Sequence, residues 1–297
     1  MVAGLAYIAT VKNGVHEMSV MKNRFYSSCL YIILFVPMKQ DTNKIWDRKS
    51  LKNVHQSSDK RAKVQQMFAS LARSYDFANH LLSFNMDKCW RRKTVQMVQL
   101  QPQQRLLDLC CGTGDFIFEF ARAVPFDISL IGLDFVEPML IMARHKQQTQ
   151  SGFRHGLHNI RNIKWLCGDA EHTPLAASQF DCLSCAFGIR NLQDPAAALA
   201  EAYRLLKPAG QLIILEFDMP RKRPFRWCYQ IYFKLVLPMI ASIITGDRSG
   251  AYRYLSSSVQ SFGTTGLLQG ALKDIGFQRI YMERFCFGAV VAFLARK

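Results

Sequence analysis

Acidic residues and long apolar runs are both scarce in this chain of 297 residues. It has 22 Asp and Glu against 38 Lys and Arg, which gives a formal net charge of +16 and favours an anionic partner such as nucleic acid or acidic lipid headgroups. Residues 29–38 form an apolar stretch, but it is too short to span a bilayer. The nine cysteines are too dispersed for a secreted disulfide scaffold, which favours a reducing compartment.

Residues 1–57 lack a sustained hydrophobic period and are rich in Lys, Asn and Ser. We interpret them as a poorly ordered or targeting extension outside the fold. A mitochondrial presequence remains open because acidic residues are scarce there, and so does a true translation start near Met38. No small-residue cleavage site follows the apolar stretch, which argues against a secretory signal peptide.

Residues 58–297 carry the periodic patterns of one domain. Apolar side chains recur at helical spacing from 59 to 100 and predict an N-terminal helical lead-in. Apolar runs typical of buried strands then alternate with helical stretches. The runs are Leu106–Leu109, Ser129–Asp134, Ile163–Cys167, Phe180–Phe187 and Gln211–Phe217. This alternation predicts an α/β fold, a Rossmann-like, doubly wound and mostly parallel seven-stranded sheet whose ligands bind at the carboxyl ends of the strands.

The stretch from Arg105 to Phe116 contains the most informative turn. A strand breaks at Gly112 and Gly114 before a helical pattern resumes, so that free N–H groups and glycine backbone can approach a ligand. Asp108 lies at the strand end, where its carboxylate can accept a hydrogen bond from an amine. The dinucleotide pattern needs three glycines and Cys110 occupies the first of those positions, which disfavours a nicotinamide oxidoreductase. The acidic flanks would repel phosphate but suit an amino or sulfonium group.

Acids also end the next two predicted strands. Asp134 lies about 20 residues past the turn, where a carboxylate can accept both hydroxyls of a ribose; a helix N-cap is the alternative, because Glu137 follows in a capping arrangement. Asp169 can accept the adenine amino group with Ala170 flat beneath the ring, or it lies in an ordinary polar turn. With Asp108, these acids predict an adenosyl pocket at one edge of the sheet.

Several segments make a more specific match. The chain resembles the ubiquinone/menaquinone biosynthesis C-methyltransferase family, within the class I S-adenosylmethionine-dependent methyltransferases, over about residues 59–297. The segments that carry the resemblance are Ser74–Asn79, Leu82–Ser83, Trp90–Arg91, Leu107–Asp115, Gly168–Glu171, Phe187–Asn191, Leu215–Phe217, and Ala251–Leu255 with Ser258.

The resemblance implies S-adenosylmethionine as cofactor and a prenylated quinol as substrate. Demethylmenaquinol is the favoured acceptor and a ubiquinone-pathway benzoquinol the alternative. The family positions that contact the donor are matched by Thr113, Asp134, Asp169 and Ala170. The chain departs from the family at Ala186, where members often have a serine, and at Ala209, which replaces a glycine of a turn and bears on stability more than on chemistry.

Methylation of a quinol ring carbon requires ionisation of the neighbouring hydroxyl, and three residues are candidates to assist it. Arg190 and Asn191 follow the fourth predicted strand, and Tyr75 can cover the pocket from the lead-in. Arg190 keeps its charge, so it can lower the pKa of the phenol or hold a water rather than act as a base. A salt bridge to Asp194 or Glu216 is its alternative role. Asn191 can hydrogen-bond a quinol oxygen.

No metal ion is expected at this site. Cys182 and Cys185 form a C-x-x-C motif, but they lie in a predicted strand, where residues three apart face opposite sides. A second C-x-x-C is missing from the sequence, which argues against zinc.

Residues 219–262 are interpreted as a helical lid insert. A basic start from Arg221 to Arg226 precedes an aromatic-rich apolar stretch that runs to residue 244, and this combination suits docking on anionic lipid. We therefore expect a peripheral protein on the cytoplasmic, inner face of a membrane, or on the mitochondrial matrix face. A helix packed on the sheet or a homodimer face is the alternative.

Two other functions compete with the quinol methyltransferase. The net charge of +16 would suit an RNA methyltransferase, but no Asn/Asp-Pro-Pro tetrapeptide follows the fourth strand, so we expect no nucleic-acid partner. A non-catalytic partner in a quinone-making complex would keep the fold without the donor site.

Overall fold

The computed structural model describes residues 45–46, 50–51, 53–151, 158–237, 239 and 250–297, all within the compact unit Thr42–Lys297. In this part of the chain no helix is both long and apolar enough to cross a membrane. Most of the predicted extension, and residues 240–249 of the predicted insert, lie outside the described residues.

The lead-in consists of three helices, α1 (Lys60–Leu71), α2 (Tyr75–Leu82) and α3 (Met86–Gln96). The boundary predicted after residue 57 is too late, because residues before it pack into the domain. Trp46 is fully buried and stacks on Tyr254 with 4.5 Å between ring centroids. Val54 is buried in the same apolar cluster. A single docked indole leaves no periodic pattern in the sequence, which is why the periodicity did not indicate it.

Seven strands form one sheet: β1 (Arg105–Leu109), β2 (Ser129–Asp134), β3 (Lys164–Cys167), β4 (Phe180–Ala186), β5 (Leu206–Phe217), β6 (Gln278–Phe285) and β7 (Val290–Arg296). Their order is β3-β2-β1-β4-β5-β7-β6. β7 alone runs opposite to the other six strands and pairs antiparallel with β5 and β6, whereas the remaining pairs are parallel. The mostly parallel seven-stranded sheet is therefore confirmed. β5 begins before the predicted Gln211 because Leu206 already pairs with Phe180, ahead of a shift in register.

Helices cover both faces of the sheet. Leu107 and Leu183 pack with α7 (Pro195–Leu205) and α10 (Thr264–Ile275). On the opposite face, Leu106 packs with α4 (Asp115–Ala123) and α6 (His158–Arg161). The alternation of inward side chains along each strand therefore builds two apolar cores, one for each face.

The helix α5 (Glu137–Ser151) contacts β2 and β3. The insert forms α8 (Arg223–Ile231), a π-helical turn (Tyr232–Val236) and α9 (Ala251–Phe262), which lie near the end of β5, where Phe217 packs against their apolar cluster. Phe233 of the turn and Tyr252 of α9 share one apolar cluster with Met67 of α1. The lead-in and the insert thus meet each other over the strand ends.

Candidate active site

The turn between β1 and α4 has the left-handed backbone that its glycines allow. Gly112 has a φ of 55° and Gly114 a φ of 85°, and L side chains rarely adopt such values. A Cβ on Gly112 would meet nothing within 4 Å, so this side of the turn faces open space. Cys110 also has a positive φ, 53°, at the position where the dinucleotide pattern has its first glycine.

Asp108 is held inside the protein by one hydrogen bond. Ser184 Oγ donates to Asp108 Oδ1 at 2.6 Å, whereas the buried Oδ2 has no partner among the described residues. Burial raises the pKa of Asp108 to about 7, although the Ser184 hydrogen bond and the nearby Arg91 lower it. A buried carboxylate oxygen without a donor is costly, so the site is chemically suited to an incoming ammonium group.

Asp134 caps the turn that follows its own strand. Its Oδ2 accepts the Gly112 N–H at 2.8 Å and its Oδ1 accepts the Val136 N–H at 2.9 Å. Burial raises the pKa of Asp134 to about 6 against the lowering effect of these backbone hydrogen bonds. The helix α5 begins only at Glu137, so Asp134 bonds to the turn before that helix and is not its N-cap, contrary to the alternative. Each oxygen retains a second lone pair for a ribose hydroxyl.

Asp169 and Ala170, the predicted adenine contacts, do not line the cavity that Asp108 and Asp134 line. Asp169 pairs with Arg61 of α1 at 2.7 Å, and its other oxygen accepts the Glu171 N–H at 3.0 Å. Ala170 is buried in the core beside Leu109. Neither residue lines the cavity that holds Asp108, so their contact with adenine stays a prediction.

A cavity of about 60 Å³ lies against the turn at the ends of β1 and β2. It brings together most of the predicted site residues: Tyr75, Asp108, Gly112, Thr113, Asp134 and Asn191. Gly114 instead precedes α4 as its N-cap. The chemistry of these groups suits S-adenosylmethionine: the unpaired Asp108 oxygen suits its ammonium group, and the open side of Gly112 lets the ligand approach the backbone.

A network of charges lies beside this cavity and includes two of its lining residues, Thr113 and Asp115. Lys146 of α5 donates to Asp76 at 2.9 Å, to Thr113 at 3.1 Å and to Asp115 at 2.5 Å. Thr113 Oγ1 also donates to Asp76. The network ties the lead-in helix α2 to the glycine turn.

A second, larger cavity of about 380 Å³ lies next to the first. Its wall is almost entirely apolar and comes from the lead-in, the end of β5 and the insert. Four residues line both cavities: Phe68, Tyr75, Arg91 and Phe187. A molecule in the large cavity can therefore approach the small one across these four side chains.

Arg190 lines the large cavity and forms a salt bridge with Glu216, one of the two partners that its alternative role predicted. Its Nη1 donates to Glu216 Oε1 at 2.6 Å and to the Phe187 carbonyl at 2.7 Å. Burial alone would lower the pKa of Arg190, but Glu216 raises it overall, so the guanidinium stays charged. Its buried Nε has no acceptor in the described part of the chain. The pairing and a role toward substrate are compatible, because Nε remains available.

Asn191 and Tyr75 are also partly engaged. Asn191 Nδ2 donates to the Phe187 carbonyl at 3.1 Å, and Asn191 Oδ1 accepts from the Tyr254 hydroxyl at 3.0 Å. Burial raises the pKa of Tyr75, although Arg190 lowers it. Tyr75 is therefore a neutral phenol at neutral pH and a hydrogen-bond partner rather than a base.

Side chains that could hold a metal have other roles. Cys182 and Cys185 pack into the cores on opposite faces of the sheet, as predicted, and cannot share an ion. His80, Asp87 and Asp115 lie close together, but Arg91 already pairs with both carboxylates.

The sheet, the glycine turn and the paired cavities define a class I methyltransferase. A family model, the ubiE/COQ5 methyltransferase family, matches residues 55–297. The chain is 39% identical over 222 residues to a demethylmenaquinone methyltransferase of Thermus thermophilus, covering 75% of this chain and 96% of the relative. It is 34% identical over 240 residues to the ubiquinone/menaquinone biosynthesis C-methyltransferase UbiE of Geotalea daltonii, covering 81% and 98%.

The solved structures agree on the fold. A SAM-dependent methyltransferase of Thermotoga maritima superposes with a TM-score of 0.52 at 21% identity, covering 78% of this chain and 99% of that one. The chain belongs to the ubiE/COQ5 methyltransferase family, and its methyl donor is S-adenosylmethionine.

Sequence reasoning assigned no site role to Arg91, Lys146 and Arg61, although Arg91 lies in a segment that carries the family resemblance. Arg91 follows Asp87 by four residues and pairs with it, a spacing that is usual for solvated ion pairs on helices. Arg61 and Lys146 meet acids far away in the chain. No local pattern could have indicated these partners.

Proposed function

We propose that the protein transfers a methyl group from S-adenosylmethionine to a ring carbon of a prenylated quinol, with demethylmenaquinol as the favoured acceptor and menaquinol as product. The observation that carries this proposal is the apolar cavity of about 380 Å³, which shares four lining residues with the donor cavity. An aromatic ring with an isoprenoid tail suits an apolar wall of this kind. The names of the relatives, demethylmenaquinone methyltransferase and UbiE, support the substrate class.

The residues of this chain would act on the quinol oxygen and on the position of the ring. When bound, the donor supplies an electrophilic methyl group. Loss of a quinol hydroxyl proton to water makes the adjacent ring carbon nucleophilic, and the charge of Arg190 favours the phenolate. The new carbon–carbon bond would replace the methyl–sulfur bond of the donor, which would leave as S-adenosylhomocysteine, and the ring proton would then leave to solvent. Phe187 and Phe217, whose ring centroids lie 4.5 Å apart, provide an aromatic surface for the substrate ring.

Methyl transfer from labelled donor to two acceptors tests this proposal. Demethylmenaquinol and a ubiquinone-pathway benzoquinol with equal prenyl tails are compared at saturating donor. We expect faster turnover of the naphthoquinol. Preference for the benzoquinol would reassign the acceptor, and binding of donor without transfer to either would overturn the activity.

We also propose that the mouth of the large cavity rests on an anionic membrane. Phe84 and Phe287 line the cavity and are 69% and 73% exposed. Phe287 stacks on Phe225 of α8 at 4.0 Å, and α8 carries the exposed Trp227 and basic side chains. The exposed cations at its start are Arg221, Lys222, Arg223 and Arg226. An apolar rim beside clustered positive charge suits acidic headgroups.

Sedimentation with lipid vesicles tests this surface. We expect binding to phosphatidylglycerol vesicles, weaker binding to neutral phosphatidylcholine vesicles, and loss of binding in a Trp227→Ser, Phe287→Ser double variant. Ile141→Ser, at an exposed apolar residue of α5, is the control and should bind as wild type. Concentration-dependent dimers that disappear in the double variant, without vesicle binding by the wild type, would instead assign the rim to a homodimer.

A further inference from the structure

The buried side chain of Arg91 has one N–H group that makes no hydrogen bond within the described residues. The side chain is only 9% exposed, and Arg91 lines both cavities. Its Nη1 donates to Asp87, and its Nη2 lies 3.6 Å from Asp115 Oδ2. Its Nε has no acceptor within the described residues. An unpaired N–H of a buried guanidinium is costly and marks a place for a ligand oxygen.

The surrounding charges fix the guanidinium in place. Asp87 lies one helical turn before Arg91 on α3, and the Arg91 guanidinium lies 5.4 Å from the centre of the Phe187 ring. Burial alone would lower the pKa of Arg91, but Asp115 and Asp87 raise it overall. Arg91 therefore stays charged, and two carboxylates and an aromatic ring hold its guanidinium beside the cavities that it lines.

A complementary orphan atom lines the same small cavity. Asp108 Oδ2 is a buried acceptor without a donor, just as Arg91 Nε is a buried donor without an acceptor. The two residues are close enough for Arg91 to lower the pKa of Asp108. An unpaired acceptor and an unpaired donor on residues that line one cavity suit a ligand that has both an ammonium group and a carboxylate.

We propose that Arg91 binds the α-carboxylate of the methionine portion of S-adenosylmethionine, while Asp108 accepts from its α-ammonium group. The proposal rests on the assigned donor and not on the quinol acceptor. An α-amino acid presents both groups on one carbon and brings no net charge into the cavity. A quinol oxygen would satisfy Arg91 alone and leave Asp108 unmatched.

Calorimetric binding of three ligands separates this contact from general effects on the site. S-adenosylmethionine has the carboxylate, decarboxylated S-adenosylmethionine lacks only that group, and 5′-methylthioadenosine lacks the whole amino-acid end. Because hydrogen bonds to charged groups contribute substantially, wild type should bind the decarboxylated ligand about tenfold more weakly than S-adenosylmethionine. Arg91→Gln should lower the affinity for S-adenosylmethionine by about the same factor. Its affinities for the other two ligands should stay within about twofold of those of the wild type.

Arg92→Gln is the matched control, because Arg92 is the next residue of α3, is 69% exposed and lies 4.0 Å from Glu119. It should bind all three ligands as wild type does. Arg91→Lys keeps the charge without the guanidinium and should restore part of the preference for the carboxylate.

Two results would overturn the proposal. Equal weakening of all three ligands in Arg91→Gln would make Arg91 a packing residue of the cavity. Equal affinity of the wild type for S-adenosylmethionine and its decarboxylated form would exclude a carboxylate contact even if the variants did not fold. Neither result depends on methyl transfer, so a failure here is distinct from a wrong quinol acceptor.

Discussion

Gly114 and Trp165 lie in such close contact that no side chain fits between them. A Cβ on Gly114 would come within 2.6 Å of the Trp165 ring. The indole cannot move aside easily, because its Nε1 donates to Gln147 at 2.6 Å and its ring packs edge-on against Phe118. The second glycine of the turn is therefore required by β3 as well as by its own φ of 85°.

Gly114→Ala is expected to destabilise the protein by about 2–4 kcal/mol, since left-handed strain and overpacking add. Urea unfolding followed by circular dichroism measures this change. Gly270→Ala is the control, because Gly270 lies exposed in α10 and a Cβ there would meet nothing within 4 Å. That variant should gain roughly 0.5–1 kcal/mol from helix propensity. Equal effects of the two substitutions would contradict the close contact with Trp165.

Asp108 should make donor binding depend on pH. The ionised carboxylate forms a charge-assisted hydrogen bond with an ammonium group, which is stronger than the bond that a neutral carboxyl forms, and burial raises the pKa of Asp108 to about 7. The Kd of S-adenosylmethionine should therefore rise about tenfold from pH 8 to pH 6, measured by calorimetry. Asp108→Asn should bind weakly with little change over this range. A wild-type Kd that is constant from pH 6 to pH 8 would be inconsistent with this role.

The same carboxyl should affect stability with the opposite trend. The pKa of Asp108 in the folded state exceeds its usual value of 3.8, so its contribution to stability is fully present below about pH 4 and is lost as the pH rises through 7. The stability of Asp108→Asn relative to wild type should therefore increase from pH 5 to pH 8. Thermal melts of both proteins at pH 5 and at pH 8 measure this difference.

Local sequence patterns predicted the sheet because each buried strand appears in the sequence as a short apolar run. Ser129–Asp134 has the predicted bounds, and Asp108 and Asp134 meet at one cavity as the parallel topology requires. The ion pair of Arg61 with Asp169 joins residues more than a hundred positions apart. Such a partner is set by how helix α1 packs over the strand ends, and periodicity within α1 contains no information on it.

Ala209 shows how a departure from the family pattern acts on stability. Its φ is 63°, in the left-handed region where the resemblance expects glycine. Ala209→Gly should stabilise the protein by about 0.5–1 kcal/mol, because relief of strain exceeds the added freedom of the unfolded chain. Ala123→Gly, at an exposed position of α4, should instead destabilise it by about 0.5–1 kcal/mol. Loss of stability in both variants would refute the strain.

Trp46 tests whether the segment before α1 belongs to the fold. Its ring is fully buried, stacks on Tyr254 and lies 5.5 Å from Lys63 Nζ. Trp46→Ala should cost about 3–5 kcal/mol by urea unfolding, as expected for a large side chain removed from a core. Trp227→Ala removes the same side chain from a site that is 65% exposed and should change stability by less than about 0.5 kcal/mol. If both variants unfolded at the wild-type urea concentration, Trp46 would not be part of the core, and the domain would begin after residue 57.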